Sequence, residues 1–234
     1  MPSPNHPSPR LIIFDFDGTL FDTHDSIAHC IALTFATLTP ETPAPDIADI
    51  RRAIGTGAGL EDTFRMLGAC DSPESAAPWI TEYRKQYAVK GIPLISAFPH
   101  ARALLEKLKE AGIVSVVVSN KGVQAVKDVL ANNLMDELVE GAFGDVPGVP
   151  KKPDPAVYHR FVAPMFEGKG GISGEDVLVV GDTEADIKFA RNIGAKVCWV
   201  RYGYGDRDKC EELKPDLVVY GLKELEWLLL VARD

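Results

Sequence analysis

Asp15-Phe16-Asp17-Gly18-Thr19-Leu20 sets two carboxylates two residues apart at the end of an apolar run. Such a pair is costly unless a cation, or a proton held on one member, relieves the repulsion. Three further polar clusters follow: Ser119-Asn120-Lys121, Lys151-Lys152-Pro153-Asp154-Pro155, and Gly181-Asp182-Thr183-Glu184-Ala185-Asp186. Their residue types fit one chemistry. Clustered carboxylates hold a hard cation, and one or two carboxylates with a phosphate suit Mg²⁺. A carboxylate can attack phosphorus and form an aspartyl-phosphate. A second carboxyl can protonate the leaving oxygen and then activate water. A lysine and a hydroxyl can neutralise the phosphoryl group in transit.

Singly these clusters say little. Asp-x-Asp suits a turn, Ser119 or Asn120 suits a helix N-cap, and residues 182–186 suit an acidic first helical turn. Their placement adds the information. Three of them close apolar, Val/Ile-rich runs at residues 11–14, 114–119 and 177–181, which read as buried parallel strands. Further strands are expected at 196–200 and 217–220, with a weaker one at 138–143. Helical periodicity fills residues 101–111, 123–134, 184–193 and 222–231. Alternation of this kind predicts an α/β fold: a doubly wound, Rossmann-like parallel sheet of order 3-2-1-4-5-6. Ligands bind outside the carboxyl ends of such strands, at the point where strand order reverses. Period two puts Asp15 and Asp17 on one side, with Phe16 turned into the packing.

The alternation stops between residues 21 and 97. That stretch has no Val/Ile-rich strand and reads as helices at 25–38, 47–54, 60–67 and 78–89, punctuated by Pro40, Pro43 and Pro45 and left past Pro93 and Pro99. The expected organisation is a flexible Pro/Ser-rich tail (1–9), an α/β core (10–20 and 98–234), and an inserted all-helical domain (21–97).

With 34 acidic against 25 basic residues, net charge −9, the chain has neither a basic excess nor a basic stripe. Nucleic-acid and membrane-surface partners are therefore not expected. No apolar run approaches the ~18–20 residues that span a bilayer, and the N-terminus lacks the pattern of a secretory signal. Cys30, Cys70, Cys198 and Cys210 are far apart in sequence, which fits reduced thiols and a cytoplasmic location. The five histidines show no metal-ligand spacing. Gly55-Thr56-Gly57-Ala58-Gly59-Leu60 is not a dinucleotide loop, because no strand precedes it and its third motif glycine would fall at Leu60. The adjacent Arg51 and Arg52 could meet an anionic tail or form a solvated face.

The four clusters, in this order, resemble the motifs of the haloacid dehalogenase-like hydrolase superfamily, and the helical insert resembles the cap of its phosphoglycolate phosphatase-like branch. The resemblance runs from Leu11 to about Gly203. It implies that Asp15 is the nucleophile and Asp17 the general acid/base, oriented by Thr19. Ser119 would bind the phosphoryl oxygens with Asn120 facing the substrate. Lys152 would pair with Asp15 and the phosphoryl charge; Lys151 could fill that position, but the family pattern sets lysine directly before proline. Mg²⁺ would be held by Asp15, Asp17 (through its backbone carbonyl), Asp182 and Asp186, the last through water or through Lys152. The cap loop, with Arg52, Gly55 and Thr56, would close over the site and contact the substrate.

The implied activity is Mg²⁺-dependent hydrolysis of a small, phosphoglycolate-like phosphate monoester by a monomer or homodimer. A β-phosphoglucomutase-like phosphotransferase is an alternative, disfavoured because residues 51–67 contain no lysine. A pyrophosphatase or nucleotidase, and a non-catalytic binding protein on the same fold, are others; the binding protein would be expected to have lost a motif residue. Asp17 argues against a true dehalogenase.

Overall fold

The computed structural model describes residues 9–231. Most of the expected tail, residues 1–8, lies outside the described residues. The main sheet has six parallel strands: β1 (Leu11–Phe14), β2 (Val114–Gly122), β3 (Gly141–Asp145), β4 (Val177–Gly181), β5 (Lys196–Val200) and β6 (Leu217–Val219). Their order is β3-β2-β1-β4-β5-β6, so the sheet is doubly wound with β1 at its centre. Phe14 pairs with Val117 on one side and Val180 on the other, which brings the ends of β1, β2 and β4 to one rim.

All four residues of β1 are buried because both sheet faces are covered. Ile12 and Phe14 join one core cluster with Leu104, Leu105, Val126 and Leu225, from α5 (Ala101–Glu110), α6 (Val123–Asn132) and α9 (Leu222–Glu226). Leu11 and Ile13 join the opposite cluster with Val162, Ile187, Phe189 and Cys210; the last three belong to α7 (Glu184–Asn192) and α8 (Arg207–Glu212). Period-two alternation thus splits β1 between two cores.

Between β1 and α5 lie α1 (His24–Leu38), α2 (Ile47–Ile54), α3 (Leu60–Met66) and α4 (Pro73–Gln86), the last continuing through a wider turn at Tyr87–Gly91 and a tighter one at Ile92–Leu94. They bury a third cluster around Ile31, Phe35, Ile50, Phe64, Tyr83 and Tyr87.

The structure corrects the expected elements in several places. Two short strands stand where none was expected: Phe21–Asp22 pairs antiparallel with Ser96–Ala97, because the passages into and out of the helices run side by side. The helix α4 begins at Pro73 rather than near Pro78, since Ser72 accepts from the Ser75 backbone N–H and Pro73 suits the first helical turn. The third sheet strand is shifted to Gly141–Asp145, with a 3₁₀ turn at Asp136–Leu138 before it. The helical turns at Tyr158–Phe166 and α8 had no expected counterpart. Among the described residues, no helix is long and apolar enough to cross a membrane.

Candidate active site

Asp15 is the first residue past β1, and its N–H donates to the Val180 carbonyl (2.8 Å), which extends the sheet ladder one step and fixes its position. Lys152 Nζ lies 2.6 Å from Asp15 Oδ1 and 2.6 Å from Asp186 Oδ1, with all three side chains buried. Asp186 is held in turn by the N-terminus of α7: its Oδ2 accepts from Thr183 N (3.0 Å) and Thr183 Oγ1 (2.7 Å). The helix-cap reading of residues 182–186 is therefore correct, and the same carboxylate also orients Lys152. Lys151 points elsewhere, 3.7 Å from Asp145.

Asp182 is fully buried at the end of β4. Its backbone carbonyl accepts from Trp199 Nε1 (2.9 Å), and its Oδ2 accepts from Tyr204 N (2.7 Å). Oxygen atoms of Asp15, Asp182 and Asp186 lie within 4.8 Å of one another. Burial lifts the Asp15 carboxyl to about 7; Lys152 opposes the rise, and Asp186 adds to it. Burial also raises Asp182 well above the carboxylate range, with Asp15 and Asp186 pushing the same way. Burial disfavours the Lys152 ammonium, but Asp15 and Asp186 hold it above the ordinary lysine value. The cluster thus has more carboxylate charge than Lys152 neutralises, and every donor is a hard oxygen. That set fits Mg²⁺.

The close approach of β1 and β4 explains Gly18. It has φ +82°, and a Cβ there would stand 2.3 Å from Asp182 Oδ2.

Ser119 at the end of β2 and Asp17 face a cavity of about 390 Å³ together with Asp15 and Lys152. Its other side carries Ile27, Ile54, Leu60, Tyr83 and Ile92 from the helices. Five of the expected site residues have contacts that the sequence did not indicate. Thr19 does not orient Asp17; its hydroxyl donates to Asp182 Oδ1 (3.3 Å), because the chain turns at Gly18 toward β4. Asn120 lines the cavity, but its amide is occupied: Nδ2 donates to Gly57 O (2.8 Å) and Lys152 O (3.0 Å), and Oδ1 accepts from Lys152 N (2.9 Å). Arg52 is 77% exposed and pairs with Asp49 one turn back on α2, outside the cavity. Gly55 packs against the Tyr204 carbonyl, and Thr56 donates to Ala53 O at the end of α2, so neither lines the cavity.

The loop reaches the cavity through Gly57 and Ala58 instead. Gly57 has φ +70°, and a Cβ there would meet Thr183 Oγ1 at 2.5 Å. The carboxylates that cluster are those of Asp15, Asp182 and Asp186. The Asp17 carboxylate turns away from them toward Lys121, whose Nζ lies 3.0 Å from Oδ1 and 3.3 Å from Oδ2. Sequence alone groups Lys121 with Ser119 and Asn120 but gives it no role, and it does not single out Tyr204. Lys121 carried one usable signal, its position two residues after Ser119 on the same face of a strand. Tyr204 carried none, since it acts through its backbone N–H.

Comparisons with known proteins bear on the family and the fold. The family model described as haloacid dehalogenase-like hydrolase matches residues 12–200. The chain is 29% identical over 228 residues to a phosphoglycolate phosphatase of Vibrio cholerae, covering 95% of this chain and 98% of that one. It is 30% identical over 206 residues to a phosphoglycolate phosphatase of Aquifex aeolicus, covering 83% and 86%. A crystal structure of a predicted phosphoglycolate phosphatase from Haemophilus somnus superposes with a TM-score of 0.80 at 24% identity, over 94% of this chain and 97% of that one, which bears on the fold.

Proposed function

Since the chain belongs to the haloacid dehalogenase-like hydrolases, in their phosphoglycolate phosphatase-like branch, we propose that it is a Mg²⁺-dependent phosphatase. It hydrolyses a small phosphate monoester, phosphoglycolate-like, in two steps through Asp15. The observation that carries this reading is the buried Asp15–Lys152–Asp186 chain at the floor of the cavity, with Asp182 beside it.

Asp15 Oδ attacks phosphorus while the ester oxygen leaves and takes a proton from Asp17, giving an aspartyl-phosphate and a free alcohol. Asp17, now a carboxylate, takes a proton from a water whose oxygen attacks phosphorus. The Asp15–phosphorus bond breaks, and inorganic phosphate and free Asp15 result. Lys152 holds Asp15 and faces the phosphoryl charge, and the Ser119 hydroxyl donates to a phosphoryl oxygen. Asp15 and Asp182, with the Asp17 backbone carbonyl, would hold the Mg²⁺, with Asp186 acting through Lys152. When bound, Mg²⁺ supplies positive charge for the phosphoryl oxygens and offsets the surplus carboxylates.

In this reading α1–α4 form a cap that excludes bulk water during transfer, pivoting at the paired passages Phe21–Asp22 and Ser96–Ala97. The enzyme works in the cytoplasm. The test is phosphate release from a panel of esters, including phosphoglycolate, sugar phosphates, nucleotides and pyrophosphate, with Mg²⁺ and with chelator. Release that needs Mg²⁺ and favours a small monoester is expected. Release from no compound, or equal rates in chelator, would overturn the reading.

A further inference from the structure

Lys121 has no part in the steps above, yet it occupies a strongly determined place. Its side chain is 8% exposed. The ammonium donates to both oxygens of Asp17 and lies 4.3 Å from the centroid of the Tyr87 ring. An ammonium has three N–H groups, and two carboxylate oxygens with one aromatic face take up all three. Lys121 therefore lines the cavity without offering a free donor to a ligand.

Its two partners come from different parts of the molecule. Asp17 follows β1 in the α/β core, whereas Tyr87 belongs to the turn that continues α4. Tyr87 is itself buried and stacked on Tyr83 with ring centroids 5.4 Å apart, so the ring is fixed within the helical cluster.

We propose that Lys121 is a positioning residue: pinned against the Tyr87 ring, it fixes the orientation of the Asp17 carboxyl, so that docking of the helices on the core completes the acid–base group. The inference rests on Asp17 being the acid/base of the proposed phosphatase. Three observations support it. Among the described residues the Asp17 carboxylate has no other hydrogen-bond partner, since the Thr19 hydroxyl goes to Asp182. Two hydrogen bonds from one ammonium fix both the position and the plane of a carboxylate. A cation over an aromatic face is attracted to it most strongly where water is excluded. Burial works against the charge on Lys121, and Asp17 and Tyr87 more than restore it.

The test combines kinetics with a readout that needs no turnover. Lys121→Met should lower kcat about 10- to 100-fold, the scale of a misplaced reacting group, with KM changed less than about 3-fold because Lys121 acts on Asp17 and not on substrate. Lys121→Arg should recover part of the loss. Tyr87→Leu should cost on the order of 3- to 10-fold, and Tyr87→Phe, which keeps the ring, should cost less than Tyr87→Leu. The double variant Lys121→Met/Tyr87→Leu should be no slower than Lys121→Met alone, the signature of two residues acting through one contact. A rise in KM with kcat intact would make Lys121 a substrate reader and overturn the proposal, as would losses that multiply.

Independently, the ¹⁵N–¹H spectrum of the lysine ammonium groups should show a slowly exchanging Lys121 signal shifted upfield by the ring. Asp17→Asn should remove its protection and Tyr87→Leu its shift. If wild-type protein releases phosphate but shows no protected Lys121 signal, the clamp is wrong. If the signal is present and wild type releases phosphate from no ester, it is the phosphatase reading that fails, and the assigned purpose of the clamp falls with it.

Discussion

The cavity has two sides of different make. On the sheet side, Asp15, Asp17, Ser119 and Lys152 face inward, each fixed by a strand end or by another buried charge. On the helical side, the wall is mostly apolar: Ile27, Ile54, Leu60 and Ile92 with Tyr83. Its one arginine, Arg84, is paired with Asp145, and the Gly57–Ala58 backbone lies at its edge. Charged groups buried side by side constrain one another sharply, since any that loses its partner is left with an uncompensated desolvation cost. Apolar side chains constrain only shape and tolerate exchange for others of similar volume. The sheet side is therefore suited to holding reacting atoms, and the helical side to excluding water and selecting by fit.

The largest break in this comparison is expected at Asp15. Asp15→Asn keeps the shape of the residue and removes the nucleophile. It should lower turnover by about 10⁴-fold or more, with the circular dichroism spectrum unchanged. Residual activity above a few per cent would move the nucleophile elsewhere.

A second prediction concerns the cost of the buried carboxylates. In chelator, burial lifts Asp15 from its ordinary 3.8 to about 7. Between those values the folded chain retains a proton that the unfolded chain has released. Its contribution to stability is therefore complete below about pH 4, declines as pH rises, and is lost above about pH 7. The melting temperature of wild type relative to Asp15→Asn should fall across that window. Mg²⁺ should raise the wild-type melting temperature more at pH 7 than at pH 5, because metal binding needs the carboxylates ionised. A difference that grows with pH in chelator would show that Lys152 outweighs burial.

These residues also show how far the sequence could be read. The strands were legible because both faces of the sheet are covered, which makes β1, β2 and β4 run apolar without alternation. Asp15, Asp182 and Asp186 were legible as a group because each stands next to a strand end, or one turn into the following helix, where spacing along the chain fixes position in space; Lys152 lies in the loop after β3 and was legible only through the lysine–proline pattern that the family resemblance supplies. Partnership was not legible. Thr19 is two residues from Asp17 and serves Asp182, 163 positions away. Lys121 meets Asp17 and a ring contributed by the helical insert. Such contacts depend on how two separately packed clusters dock, and no local pattern encodes that. The cap loop misled for a related reason: Arg52 and Thr56 have suitable chemistry, but on a helix end they are taken up by neighbours three residues back.

The third test is placed on the seam between the two sides. Gly57 holds φ +70°, and its carbonyl accepts from Asn120 Nδ2. Gly57→Ala adds a strained backbone and a methyl group directed at Thr183. It should cost about 1–2 kcal/mol of stability and about 10-fold in kcat/KM, most of it in KM. An equal fall in kcat with KM unchanged would mean that the loop acts on the reacting atoms and not on fit.

The smallest effect is expected at Arg52, and it is the sharper test of the helical side because its chemistry invites the opposite result. An arginine beside a phosphate site is an obvious partner for an anionic substrate. Here its guanidinium is 77% exposed and paired with Asp49 on the same helix. An exposed pair of this kind contributes about 0–1 kcal/mol. Arg52→Ala should therefore leave KM and kcat within about 2-fold, and the melting temperature within about 2 °C. Should KM for an anionic ester instead rise 10-fold, α2 must turn this face inward when substrate binds. The helical side would then carry charge recognition as well as shape, and the division between the two sides would hold only for the substrate-free protein.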